Sequence, residues 1–199
     1  MSFLNTSAKV TNRSVIPSPV TKEAAVALLH NHEFFILCDP HYASHKLLPQ
    51  PAETAKDPTS VELAKKHFKL PATFTPLAST ATYRDGPVVK VYEICDHMPN
   101  PVWSSNVVSN EEFVDHADGI WVRIRSPMGV VMDTMWSIQV DASGSGGGKM
   151  ELVEDVVINC SRLVMGIVKG QVDNNWPGIH GKLIEKLTKD AAEGAPAAA

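Results

Sequence analysis

The stretch that decides the fold is KMELVEDVVINC, Lys149–Cys160, running directly into SRLVMGIVKGQVDNNWPGIHGKLIEKLTK, which ends at Lys189. In the first part, Met150, Leu152, Glu154, Val156 and Ile158 share one face at the two-residue period of a strand. Glu151, Val153, Asp155, Val157 and Asn159 share the other. The first face is apolar except for one acid, Glu154. From Ser161 the period changes. At about 100° per residue, Met165, Val168, Val172, Trp176, Ile179, Leu183 and Leu187 fall on a single stripe, which predicts a long terminal helix lying against a large apolar surface. A sheet is the expected partner. A curved antiparallel sheet closed around such a helix leaves a cavity between the two, and function is expected there.

Working outward, the upstream sequence supplies the rest of that sheet. Val130, Met132, Thr134, Trp136, Ile138 and Val140 alternate with Val131, Asp133, Met135, Ser137 and Gln139, and the first set is expected to face inward. Ile120, Val122 and Ile124 alternate with Trp121, Arg123 and Arg125. Asp118-Gly119 before them is a tight-hairpin signal, and Ser126-Pro127-Met128-Gly129 after them is a turn. Residues 106–115 and 88–95 read as further strands, and the Gly-rich residues 143–148 as a flexible hairpin loop.

At the other end of the chain, Ala8–Ile16 alternates weakly and is closed by Pro17-Ser18-Pro19, a strand ending in a turn. Thr21 is a suitable N-cap for a helix from about Lys22 to Asn31. Glu33–Cys38 fits a short helix or a strand equally well, and Asp39-Pro40 ends either. The order is therefore strand, one or two helices, a meander of strands, then a long helix. Residues 1–190 are expected to form one domain. Prolines at 49, 51, 58, 71 and 76 mark residues 49–79 as an irregular flap, with a helical patch only at Ser60–Phe68. Residues 191–199 have little to bury and are expected to be a disordered tail.

Composition narrows the function classes. The chain has 199 residues, 18 Lys plus Arg and 22 Asp plus Glu, for a net charge of -4, without the basic footprint of a nucleic-acid binder. No apolar run reaches the roughly 20 residues needed to span a bilayer, so no stable membrane insertion is expected. The three cysteines, Cys38, Cys95 and Cys160, are odd in number and scattered, and Met1–Val10 lacks the pattern of a signal peptide. The expectation is a cytoplasmic protein with reduced thiols.

Several constellations invite chemistry. His30, His32, Glu33, Asp39, His41 and His45 are dense in metal-ligating types, but a site needs about three convergent side chains, and residues two apart diverge on a helix. Helix-end and loop contacts account for them, and no metal is expected. The run Gly144–Lys149 fails as a phosphate loop, because Ser143 stands where the first glycine is required and Met150 follows the lysine. No Gly-x-Ser-x-Gly elbow is present. Arg123, Arg125, Asp133, Glu151 and Asp155 fit cross-strand ion pairs on a solvent face; with the faces reversed, the arginines would select an anionic ligand. Glu154 stands apart. A carboxyl group among apolar side chains has its pKa raised by desolvation and can act as an acid or base near neutral pH, or it is a paired structural group.

The segments His32-Glu33-Phe34-Phe35-Ile36, Asp39-Pro40-His41, Trp103-Ser104-Ser105-Asn106-Val107-Val108, Val122–Met132, Leu152–Val156, Cys160–Leu163, Asn175-Trp176 and Gly178-Ile179-His180 resemble a fungal family of domains of unknown function. The likeness covers most of the chain outside residues 49–79 and the tail. Pro177 departs from the usual pattern and marks a point where the helix would kink or restart. More remotely, the element order is similar to the helix-grip superfamily of START lipid-binding and polyketide cyclase-like proteins. That resemblance implies an α+β helix-grip fold, a curved antiparallel sheet around the C-terminal helix. It also implies a hydrophobic small-molecule ligand, polyketide, terpenoid or lipid, handled without a cofactor.

Two functions follow. One is a cofactor-independent cyclase, isomerase, dehydratase or pericyclase in which Glu154 and His32 move protons. The other is a carrier of a lipid or apolar metabolite, in which Glu154 is paired and silent. In both, Tyr92, Trp103, Met132, Trp136, Val172 and Trp176 are the expected ligand-contacting wall.

Overall fold

A computed structural model describes residues 5–49, 89–98, 105–141 and 148–194. Seven strands form one curved antiparallel sheet: β1 (Asn5–Ile16), β2 (Tyr42–Leu48), β3 (Val89–Met98), β4 (Ser105–His116), β5 (Gly119–Ser126), β6 (Val130–Asp141) and β7 (Lys149–Ser161). Their order across the sheet is β1-β7-β6-β5-β4-β3-β2, so the meander runs edgewise and the first strand closes against the last. Helices α1 (Lys22–His30) and α2 (His32–Ile36) lie between β1 and β2 in sequence, and α3 (Arg162–Glu193) ends the fold. This is a helix-grip architecture.

Local chemistry sets the element ends. The Thr21 hydroxyl accepts from the Ala24 amide, Asn31 caps α2 through the Phe34 amide, and the Ser161 hydroxyl accepts from the Leu163 amide. Each satisfies one otherwise unpaired helix N–H. Of Glu33–Cys38, readable as helix or strand, the part up to Ile36 is helical, capped by Asn31. At the β4–β5 hairpin Gly119 is required, since a Cβ there would lie 2.1 Å from the carbonyl oxygen of Trp136.

Two sequence expectations need correction. The helix α3 runs unbroken through Pro177. It also continues to Glu193, three residues into the stretch read as a tail, where Ala191 and Ala192 favour helix and Gly194 caps it in the left-handed conformation. Strand β2, a stretch for which the sequence reading carried no expectation, is held at the edge by pairing with β3. The proposed flap at 49–79, apart from its first residue, lies outside the described residues, as do Trp103 and most of the Gly-rich loop.

The phase assigned to the strands is the one observed. Ile120, Leu152, Ile138 and Trp136 pack with Leu183 and Leu187 of α3 and with Ala25 and Leu29 of α1, forming one solid core. Val156, Ile158 and Val130 pack with Val164, Met165, Val168 and Val172 of α3, forming a second. Arg123 and Arg125 point to the opposite face, paired with Asp133 and Glu112. That outer face is not uniformly solvent, however. Trp121, Val114, Val153 and Arg123 are all buried on it, whereas the Arg13–Glu151 pair nearer the β1 edge is open, with the arginine half-exposed.

Candidate functional site

Between the two cores the inner face of the sheet and α3 do not meet. The gap is a cavity of about 360 Å³. Its walls come from β3 to β7, the turn Pro127–Gly129, α2 and α3 as far as Ile179, and most of its surface is apolar. Met128 and Ile167 both line it and are 76% and 65% exposed, which marks the side where it meets solvent. Met128 sits in the left-handed region, at φ 61°, so the turn holds its side chain at that rim.

Glu154 lies in the wall midway along β7, the strand next to the β1 edge. Its β7 position is opposite Asn12 on β1 and Trp136 on β6. The Asn12 Nδ2 donates to Glu154 Oε2 at 2.8 Å, and His180 Nε2 is 3.8 Å from the same oxygen, too far for a hydrogen bond. Both contacts fall on Oε2, leaving Oε1 without a protein donor among the described residues. Burial pushes Glu154 up to about 7, with the Asn12 hydrogen bond pulling down and the Asp155 charge pushing up by less.

His180 is the histidine that the fold brings to Glu154. It is 1% exposed, held between the rings of Trp136 and Trp176, each 5.2 Å away between centroids. Its Nδ1 is 2.8 Å from the Ser14 hydroxyl, and its Nε2 has no hydrogen-bond partner. Burial pushes its pKa down to about 4, so the ring is neutral at ordinary pH. The sequence did carry a signal, since His180 is four residues after Trp176 and three before Leu183, on the buried stripe. A polar residue in an apolar stripe is easily set aside.

His32 is placed elsewhere. It is buried as the first residue of α2, with Nε2 2.7 Å from Asp115 Oδ1 and its ring against Phe113 and Tyr92. It does not line the cavity and is not paired with Glu154. Tyr92 is likewise core, 3% exposed and stacked edgewise on Phe113. Met132, Trp136, Val172 and Trp176 do line the cavity. Two other histidines of the same stretch make contacts away from the cavity: His30 Nε2 approaches the His116 and Gly119 carbonyls, and His45 Nε2 meets Glu33 at 2.6 Å. Among the described residues, no three His, Cys, Asp or Glu side chains are grouped to hold a metal.

A second polar region of the same cavity was not anticipated. Asp39 follows α2, Asp96 is on β3 and Glu111 on β4, and all three line the cavity with His41 and Ser109. Asp39 Oδ1 accepts from the His41 amide at 2.6 Å, and the Ser109 hydroxyl donates to Glu111 Oε1 at 3.1 Å. Burial, then the charge of Asp39, raises Asp96 to about 6. Burial, then the charge of Asp96, raises Glu111 to about 8, despite the Ser109 hydrogen bond. Glu111 and Asp96 occupy the same strand phase as Phe113 and Ile94, the same signal that singled out Glu154.

The chain matches the family model described as a domain of unknown function, DUF7053, over residues 5–189. It belongs to that family. Among curated proteins none matches the DUF7053 chain by sequence. Its fold is similar to that of TTHA0849 from Thermus thermophilus, with 12% identity and a TM-score of 0.53 over 92% of this chain and 98% of that one. It is also similar to the di-domain ARO/CYC StfQ from the steffimycin biosynthetic pathway, with 9% identity and a TM-score of 0.56. That match covers 94% of the DUF7053 chain and 52% of StfQ, so the chain spans about half the length of StfQ. At such identities the likeness is one of fold, which does not fix function.

Proposed function

We propose that this DUF7053 chain binds a hydrophobic small molecule in the cavity between sheet and α3 and acts on it by proton transfer, without a cofactor. The observation that carries the reading is Glu154: a carboxyl group in an apolar cavity wall, raised to about 7 by burial, with one oxygen held by Asn12 and the other unclaimed. Near pH 7 such a group is present in both forms, so it can take a proton from a carbon acid or hydroxyl and return it to another atom of the same substrate. The apolar walls would fold and orient a flexible substrate for that transfer. Cyclisation, isomerisation and dehydration all reduce to this step, and the resemblance to a fungal family extends the proposal to fungal secondary metabolism.

Native mass spectrometry of the purified protein tests the first half through a co-purifying apolar molecule. Incubation of that molecule or its precursor with wild type and Glu154→Gln tests the second. The amide keeps the shape and can still accept the Asn12 hydrogen bond but cannot exchange a proton, so turnover should fall about 100-fold or more with ligand affinity retained. Equal turnover by both proteins would remove the catalytic role.

One observation favours carriage instead. Leu163, at the start of α3 and one helical turn before the rim residue Ile167, is 81% exposed, and the two form an apolar border suited to handing a ligand to another apolar surface. On that reading Glu154→Gln leaves ligand transfer between vesicles unchanged and no product forms with either protein.

A further inference from the structure

The described walls of the cavity carry four carboxyl groups, Asp39, Asp96, Glu111 and Glu154, with one histidine, His41, and no Lys or Arg. Both sheet arginines that could have served an anionic ligand point to the other face, where Asp133 and Glu112 hold them. A carboxylate or phosphate headgroup would thus enter an apolar space whose described walls offer four acids and no Lys or Arg to answer it. Such a site rejects it.

The Asp39–Asp96–Glu111 region goes further than rejection, because one of its buried acceptors has no donor from the protein. The His41 amide is committed to Asp39 and the Ser109 hydroxyl to Glu111. Asp96 Oδ1 is buried and has no hydrogen-bond partner. A buried acceptor left unpaired is costly unless something outside the chain supplies the donor. The charge of Asp39 acts on Asp96 and that of Asp96 on Glu111, so ionising all three costs mutual repulsion, which a positive charge among them relieves.

We propose that the ligand is an amphiphile with a cationic nitrogen, a protonated amine seated among Asp39, Asp96 and Glu111, its apolar body lying along the cavity toward Trp136 and Glu154. This deepens the proposed function and rests on the cavity being a binding site. An ammonium group brings several donors and a positive charge, matching both deficits of the region. It also places the apolar part of the molecule, not the nitrogen, beside Glu154. Because the cation favours the ionised form of every acid it touches, its binding releases protons.

The test uses three probes that differ only in headgroup, dodecylamine, dodecanol and dodecanoate, titrated separately into the full chain by calorimetry at pH 7 and low salt, each below its micelle concentration. Dodecylamine should bind about ten-fold more tightly than dodecanol, with dodecanoate weakest. Only the amine should show a heat that changes with the ionisation enthalpy of the buffer, the signature of proton release. The doubly substituted Asp96→Asn, Glu111→Gln protein should lose the preference for amine while keeping its affinity for dodecanol, which also reports that the cavity is intact. Dodecanol binding as well as the amine, dodecanoate binding as well or better, or an unchanged preference in the doubly substituted protein would each overturn the cationic ligand while leaving the cavity reading in place. Failure of all three probes to bind would overturn both. The ranking in wild type stands as a test even should the variant fail to fold.

Discussion

Arg123 and Glu154 are both buried ionisable residues of one sheet, on opposite faces, and the protein treats them differently. Arg123 is 6% exposed, its Nε donates to Asp133 at 2.5 Å, and its guanidinium lies 5.0 Å over the Trp121 ring. Glu154 is also 6% exposed, yet it has one amide donor and a histidine beyond hydrogen-bonding range. A charge fully answered by its surroundings is structural. One answered on a single oxygen, in the wall of a cavity, is available for chemistry.

The contrast is broken most severely from the outer face. Arg123→Met should destabilise the fold by about 3 kcal/mol in urea unfolding, because it strands the Asp133 carboxylate beside a buried surface. Converting Asp133 to Leu as well should recover most of that loss. A cost for Arg123→Met no larger than that of an exposed pair would place Arg123 among the ordinary surface charges.

On the inner face the expected effects are smaller and depend on pH. Glu154 has a folded pKa above its unfolded value near 4.5. The folded state therefore binds more protons between about pH 4.5 and 7, and this group's contribution to stability is lost as pH rises through that window. Glu154→Gln should remove the loss, gaining about 2 kcal/mol on wild type between pH 4 and pH 8. His180 has the opposite sign. Its folded pKa, about 4, is below its unfolded 6.5, so the folded state binds fewer protons and stability is lost as pH falls from about 6.5 to 4. His180→Gln should lessen that acid-side loss by about 2 kcal/mol. The two variants should thus diverge from wild type in opposite directions along one pH series of melting temperatures. Parallel curves would contradict the protonation states assigned to the pair.

The least effect is expected where both charges are open to water. Lys22 and Asp118, 39% and 54% exposed, meet at 2.5 Å between α1 and the β4–β5 turn. Lys22→Ala should cost less than about 1 kcal/mol, and added salt should erase the difference.

Much of this was legible in the sequence where a period is repeated often enough to average out exceptions. Strands β5, β6 and β7 each present alternating apolar residues, and the stripe from Met165 to Leu187 is long, so the helix-grip architecture and the inward face could be read directly. Glu154 was legible as an exception within a strong pattern. Asp96 and Glu111 obey the same rule, but β3 and β4 carry polar residues in both phases, Ser109 and His97 among them, so two more acids did not stand out. Asp39 follows a helix of five residues and has no period to be read against. Partners are harder still, because they depend on register. Nothing local to His180 points to Ser14, 166 positions away, and nothing local to His32 points to Asp115. Pairing His32 with Glu154 failed for that reason, since α2 covers the sheet over β3 and β4, whereas α3 crosses β7.

The central claim is that Glu154 exchanges a proton near neutral pH. Its most direct test is a titration by carbon NMR of protein labelled at the glutamate side-chain carboxyl carbons, with Glu154 assigned as the resonance missing from Glu154→Gln. A midpoint near 7 is the predicted result, and it distinguishes Glu154 from the solvent-exposed glutamates titrating near 4.3. A midpoint at or below 4.5 would show a carboxylate already ionised and satisfied at neutral pH, a structural partner like Asp133, and would contradict the account.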